Sequence, residues 1–123
     1  PGGDTPSRLK GQLDEIKTDK KVDFTPKQRD IIRERDGGCI FCRMRYRMEK
    51  ADSYLTSIME TMHYIPRSQG GLGIGRNAAL GCKYHHMMMD GGPHREEMRG
   101  LMREYLRSVY RDWDETDLVY RKE

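Results

Sequence analysis

Cys39 and Cys42 are separated by two residues, and some forty positions later Cys82 and His85 repeat the same spacing. Each pair can offer two thiolate or imidazole donors to one ion, and together they complete a tetrahedral Cys3His zinc site. The chain has 3 cysteines, all of them in these two pairs, an odd number that a disulfide framework would leave with one thiol over. Four protein ligands close a coordination sphere, so zinc here would be structural and would contribute folding energy. Asp36-Gly37-Gly38 supplies the tight turn that leads into the first pair.

A second constellation lies between and beside the pairs: His63-Tyr64-Ile65-Pro66-Arg67-Ser68-Gln69-Gly70-Gly71, then Asn77, then His86. Singly, these read as a half-buried histidine, a turn-forming asparagine and a solvent-facing helical histidine. In register with the zinc pairs, they resemble the HNH endonuclease family, whose members carry a ββα-metal finger. The resemblance runs from Arg35 to Asp90, close to half the chain, with His85 in place of the usual fourth cysteine. It is nearest to small phage- and prophage-type members.

The resemblance implies a metal-dependent DNA endonuclease, a phosphodiester hydrolase leaving 5′-phosphate and 3′-hydroxyl ends. His63 would be the general base toward the attacking water, work that suits an imidazole near neutral pH. Asn77 would brace the loop that orients His63. His86 would bind a catalytic divalent cation such as Mg²⁺ or Mn²⁺, with structural Zn²⁺ on the Cys3His set. Adjacent histidines can serve the two ions because successive residues on a helix point about 100° apart.

The pattern departs from the family at Met62, where many members carry Asp, Glu or His as a cation ligand. A thioether suits neither Mg²⁺ nor Mn²⁺. Glu60 shares a strand face with Met62, and Asp90 lies one helical turn beyond His86. Of the two substitutes, Asp90 is the one favoured for the cation. The same departure keeps open a catalytically impaired HNH relic that acts as a zinc-stabilised DNA-binding or accessory module.

The elements that must position these residues make an α+β chain. A small zinc-stabilised ββα-metal core is flanked by an N-terminal helix and a long C-terminal one. Residues 1–22 read as a polar lead-in, in which Leu9, Leu13 and Ile16 form at most one amphipathic turn. The core spans 23–93, and 94–123 is a helix and tail packed on it. Thr25 caps a helix opened by Pro26, with Phe24, Ile31 and Ile32 as buried contacts. In 43–48 basic and apolar residues alternate, the period of an extended segment that would array Arg43, Arg45 and Arg47 on one side. Strands are expected over 60–65 and 78–81, with a Gly-rich loop between them that lacks the Lys-Ser/Thr of a P-loop. A helix should follow over 82–90, ended by Gly91-Gly92-Pro93. Of Met87, Met88 and Met89, two should pack and one be exposed. The last helix, 94–110, buries Met98, Leu101, Met102, Tyr105, Leu106 and Val109, and Trp113 and Leu118 fold the tail back. On its outer side Arg99, Arg103 and Arg107 read as a paired surface with Glu96 and Glu104.

The 123 residues allow one domain, and an apolar fraction of 35% makes a thin core that a metal would help hold. No apolar run is long enough for a bilayer, and Pro1-Gly2-Gly3-Asp4 does not start a signal peptide, so the expected setting is the cytoplasm of a bacterial or phage-infected cell, with no membrane. The net charge of +3 is uneven, since residues 25–50 hold eight basic against four acidic side chains. That excess points to a polyanion, with DNA as partner and Arg43, Arg45, Arg47 and Arg67 as its phosphate contacts. A homodimer or a larger phage or DNA-processing assembly is the expected context for double-strand cutting.

Overall fold

The computed structural model describes residues 21–120. The expected turn at Leu9, Leu13 and Ile16 lies outside the described residues. Helix α1 spans Pro26–Asp36, and its start is the one anticipated: the Thr25 side chain accepts from the Gln28 N–H, and Pro26 sits where no N–H is needed. It stops at Gly37, whose φ of 69° is the left-handed cap a glycine adopts freely, with its N–H donating to the Arg33 carbonyl. Phe24 and Ile32 are buried, whereas Ile31 is 41% exposed. Ile31 projects about 100° away from Ile32 around the helix and falls outside the stripe that packs, which corrects the expectation for Ile31.

The 43–48 segment is not extended. A short helix α2, Ile40–Arg43, runs into turns in which Arg45 and Arg47 take positive φ values of 57° and 43°. The Arg45 N–H folds back onto the Cys42 carbonyl and the Tyr46 N–H onto the Phe41 carbonyl, with Phe41 fully buried as anchor. Alternation of residue types alone does not decide between a strand and such a knuckle, and here Cys39 and Cys42 require the knuckle. Helix α3, Ser53–Ser57, follows with Asp52 as its cap.

Strands β1 (Met59–His63) and β2 (Ala78–Cys82) form a two-stranded antiparallel sheet, in register from Met59 opposite Cys82 to His63 opposite Ala78. Side chains alternate between faces, so Glu60, Met62, Ala79 and Gly81 share one face and Thr61, His63, Ala78 and Leu80 the other. Ala78 and Leu80 pack with Phe24 and Ile32 of the α1 side. Met62 and Ala79 instead join the main core, with Met89, Met98, Met102 and Leu106. Gly81 is required by that packing: a Cβ there would lie 2.3 Å from the Met62 sulfur.

Helices α4 (Lys83–Gly91) and α5 (Arg95–Val109) cover this second face. Met98, Met102 and Leu106 are fully buried, each burial contributing about 1.5–3 kcal/mol. Val109, 37% exposed, falls off the end of the anticipated stripe. Among the three methionines of α4, Met89 is buried, Met88 packs against the core and Met87 is exposed. The tail returns as expected: Leu118 is buried, and Trp113 meets Tyr64 edge-on while donating Nε1–H to the Arg76 carbonyl. The result is a small α+β fold. A lone two-stranded sheet is marginal in water, so the helices on both faces and the cysteine cluster must hold it. Among the described residues, no helix is long and apolar enough to cross a membrane.

Candidate metal centre and adjoining cleft

Two N-caps build the metal centre. Cys39 caps α2 and accepts from the Cys42 N–H at 3.3 Å, and Cys82 caps α4 and accepts from the His85 N–H at 3.4 Å. Capping places residue i+3 beside its cap, which is why the two-residue spacing yields converging donors. The Nδ1 of His85 lies 3.5, 3.6 and 3.4 Å from the sulfurs of Cys39, Cys42 and Cys82, and the Cys42 and Cys82 sulfurs are 3.7 Å apart. All four donor atoms lie within 4.8 Å of one another. A tetrahedron with Zn–S of about 2.3 Å and Zn–N of about 2.05 Å has edges of about 3.8 Å between sulfurs and about 3.6 Å between sulfur and nitrogen. The residues therefore fit a metal such as zinc.

The hydrogen bond on the far edge of the His85 ring agrees. The Nε2–H of His85 donates to the Tyr46 carbonyl at 2.7 Å, which fixes the tautomer and leaves the Nδ1 lone pair for an ion. This contact is also what the tight turn at Arg45–Arg47 achieves. Burial would raise the Cys39 thiol, but His85 and the backbone N–H groups of Cys82 and Cys42 bring it down to about 6. Burial and the neighbouring Cys39 sulfur push Cys42 up to about 12, and Cys82 is likewise raised. Packed sulfurs repel one another's ionisation unless a cation neutralises them.

Beside this centre a cleft of about 590 Å³ is lined by Thr61, Met62, His63 and Tyr64 in sequence, along the outer edge of β1. His63, His86, Asp90 and Arg67 line it as well. The Nε2–H of His63 donates to the Val22 carbonyl at 2.7 Å, and its ring lies 4.3 Å from that of Phe24. The other ring nitrogen, Nδ1, then carries the free lone pair. Burial, then the nearby Arg67 and His86, hold the imidazole below its ordinary value, against the Val22 carbonyl, which raises it.

Asn77 is fully buried and staples the loop. Its Oδ1 accepts from the Ile65 N–H, while its Nδ2 donates to the carbonyls of Ile65 and Leu72. Gly71 makes room for this, since a Cβ there would stand 1.7 Å from the Ile65 carbonyl oxygen. The Tyr64 N–H, next to His63, donates to the Asn77 carbonyl.

His86 stands between two carboxylates. Its Nδ1–H donates to Glu60 Oε1 at 2.7 Å, and its Nε2 faces Asp90 Oδ1 at 3.8 Å. Both acidic residues named as substitutes for position 62 thus reach the same imidazole, from opposite edges of the ring. Met62 offers nothing to the cleft through its sulfur, being 1% exposed and packed over Gly81.

The structure brings Cys39, Cys42, Cys82 and His85 together at one point, and His63, His86, Asp90 and Arg67 along one cleft. Arg43, Arg45 and Arg47 lie on the knuckle, and none of them lines the cleft. Arg43 donates to the Asp36 carbonyl, and Arg47 pairs with Glu97 at 3.6 Å. The expected Arg99–Glu96 pair does not form. Arg107 does pair with Glu104 at 3.5 Å, and Arg103 turns to Glu115 at 3.8 Å. Arg99 sits over the Tyr64 ring, 5.2 Å from its centroid, inside the cleft.

One structural hub had no sequence signal. Asp36 is buried, binds Arg35 through both carboxylate oxygens, accepts from the Leu80 N–H at 2.7 Å and receives the Tyr105 hydroxyl. Burial would lower the Arg35 guanidinium, but Asp36 and Tyr110 hold it more firmly charged than usual. It also donates to the carbonyls of Gly75 and Ala78, so the pair ties α1 to both ends of the turn entering β2.

No family model, curated protein or solved structure matches the chain.

Proposed function

We propose that the cleft is the active site of an HNH-type endonuclease that hydrolyses DNA phosphodiester bonds with the aid of a divalent cation. The observation that carries this reading is the tautomer of His63: its Nε2–H is committed to Val22, so the lone pair of Nδ1 is free to act as base. His63 takes a proton from a water molecule, whose oxygen attacks the phosphorus. The bond to the 3′ oxygen breaks, that oxygen takes up a proton, and the ends are 5′-phosphate and 3′-hydroxyl. Desolvation keeps His63 neutral at physiological pH, the protonation state a base needs.

Nε2 of His86 and the Asp90 carboxylate would hold the cation, a nitrogen and oxygen donor set that Mg²⁺ or Mn²⁺ accepts. When bound, it supplies positive charge against the phosphate and the leaving oxygen. Glu60 orients His86 by accepting its Nδ1–H, the outer partner that metal-binding histidines ordinarily have. Asn77 holds the loop behind His63. Cys39, Cys42, Cys82 and His85 would hold Zn²⁺, which would fix the start of α4 and hence where His86 projects.

The burial of Met62 favours a second reading, in which the same fold binds DNA without cutting it. The deciding experiment is plasmid cleavage by the full chain and by His63→Ala, with Mg²⁺, Mn²⁺ or a chelator. Cation-dependent cutting that the variant loses supports the nuclease. An intact plasmid with the folded, zinc-loaded chain in every cation leaves the binding module.

A further inference from the structure

We infer that Arg95 and Arg99 of α5 form a phosphate subsite in the wall of the cleft, gripping a DNA backbone phosphate adjacent to the one cleaved. The inference rests on the nuclease reading of the cleft and adds where the strand runs: from Arg67 past His63 and His86, and out along α5.

Four arginines line the cleft, Arg29, Arg67, Arg95 and Arg99, against two carboxylates. Asp23 is taken up by Arg67 at 2.5 Å, and Asp90 stands beside His86. Among the described residues, neither Arg95 nor Arg99 has a carboxylate partner. They are four residues apart on one helix, so their charges sit one above the other, an arrangement that costs stability unless an anion bridges it. Farther along the same helix, Arg103 and Arg107 do have carboxylates. The arginines of α5 without a carboxylate are the ones that line the cleft.

Arg99 shows the requirement most directly. Its Nε–H is buried without a hydrogen-bond partner, although buried donors almost always have one. Stacking over the Tyr64 ring holds the guanidinium in place, and Tyr64 is itself anchored through its hydroxyl to Glu115. Among the described residues its terminal N–H groups have no protein partner either, and a pre-ordered guanidinium with free terminal donors matches the two-oxygen face of a phosphate. A DNA backbone supplies such groups at regular spacing beside the scissile one.

The test is fluorescence anisotropy of a fluorescein-labelled DNA duplex of about 20 base pairs, titrated across a range of NaCl concentrations. The zinc-loaded full chain carrying His63→Ala serves as the parent, so that nothing is cut. Loss of one phosphate contact makes the log–log salt slope shallower by about 0.9, about eightfold weaker binding at 0.1 M salt. Arg95→Ala and Arg99→Ala should each show this, and Arg99→Lys should keep the slope. Arg107→Ala, on the paired part of the helix, should bind as the parent does. Arg95→Ala guards against a folding defect at Arg99, because the Arg95 side chain makes no hydrogen bond or ion pair among the described residues. Parental affinity and slope in both alanine variants would overturn the subsite, even if the wild type cuts plasmid. Slopes that fall with each arginine would support it, even if no cation elicits cutting and the nuclease reading fails.

Discussion

Nδ1 of His86 stands 2.7 Å from Oε1 of Glu60, with Lys83 at 4.0 Å from the other carboxylate oxygen. This contact joins β1 to α4 and leaves the Nε2 edge of the imidazole toward Asp90, the edge proposed above for the cation. Glu60→Gln keeps the size but weakens the acceptor, so His86 loses its fixed tautomer. Half-saturation of cleavage by Mn²⁺ should rise about 10–100-fold, the usual consequence of losing such an outer partner. Asp90→Asn should lower the cation requirement's saturability more than it lowers DNA binding. A Mn²⁺ titration of cleavage beside a DNA-binding isotherm separates the two effects, and unchanged half-saturation in both variants would remove Glu60 and Asp90 from the cation site.

The pH profile follows from His63. Burial is the main reason its imidazole sits below the ordinary value of about 6.5, with Arg67 and His86 acting in the same direction. The base must be neutral, so kcat/KM should be flat above neutrality and fall only at pH below about 6.5. The sign for stability is the same. A histidine with a depressed folded pKa has no linkage cost above its unfolded value, and protonation below that value destabilises the fold. An acid limb centred above neutrality would contradict the assignment of His63 as the base.

Removal of the metal should cost more than any single core substitution. The Cys3His site joins α2 to the β2–α4 junction, and structural zinc sites in small domains contribute about 10–16 kcal/mol of folding free energy. Cys82→Ser or a strong chelator should therefore unfold the chain, seen as loss of the cooperative thermal transition by circular dichroism. One equivalent of zinc should be found per chain by elemental analysis. A chain that stays folded and metal-free would leave the cluster as three buried thiols.

Much of the site was legible because its spacing is local. Cys39 with Cys42 and Cys82 with His85 are each joined by a single capped turn, and Thr25-Pro26 announces a helix start through backbone chemistry that any sequence shows. The sheet was legible in outline, with β2 ending at Cys82 where the next helix was expected to begin, but β1 runs Met59–His63 rather than 60–65 because the chain leaves the sheet before Pro66. Asp36 was not legible, because an Asp before Gly-Gly is an ordinary turn former, and its partners Leu80 and Tyr105 lie 44 and 69 residues away. Arg99 was misread for a related reason. A glutamate three residues earlier is a sound local partner on an isolated helix, worth only a few tenths of a kcal/mol. Tyr64, which draws Arg99 into the cleft, comes from another element, and that competition is tertiary. The knuckle at Arg45–Arg47 likewise answers to His85, which needs the Tyr46 carbonyl.

Many members of the HNH family, which the chain resembles, carry a cation ligand where this chain has Met62, and placing one there should not tighten cation binding. The Met62 side chain is 1% exposed, on the sheet face covered by α4 and α5, with its sulfur in the space that Gly81 leaves open. An aspartate there would be too short to fill that space and would bury a carboxylate among Ala79, Met89 and Met98, whose side chains offer no donor. The cavity and the unpaired polar group together should cost about 3–5 kcal/mol, since truncating a buried methionine alone costs about 2–5. Met62→Asp is therefore expected to lower the thermal midpoint by more than 10 °C, on the order expected for a domain of about 100 residues. Met62→Leu, which keeps the volume, should cost less than about 1.5 kcal/mol and leave cation dependence as it was. Thermal melts of the two variants, read beside Mn²⁺-dependent cleavage, test this. A Met62→Asp chain that melts like the parent and binds Mn²⁺ more tightly would mean that the side chain at 62 can reach the cleft, and that Glu60 and Asp90 are not the substitutes.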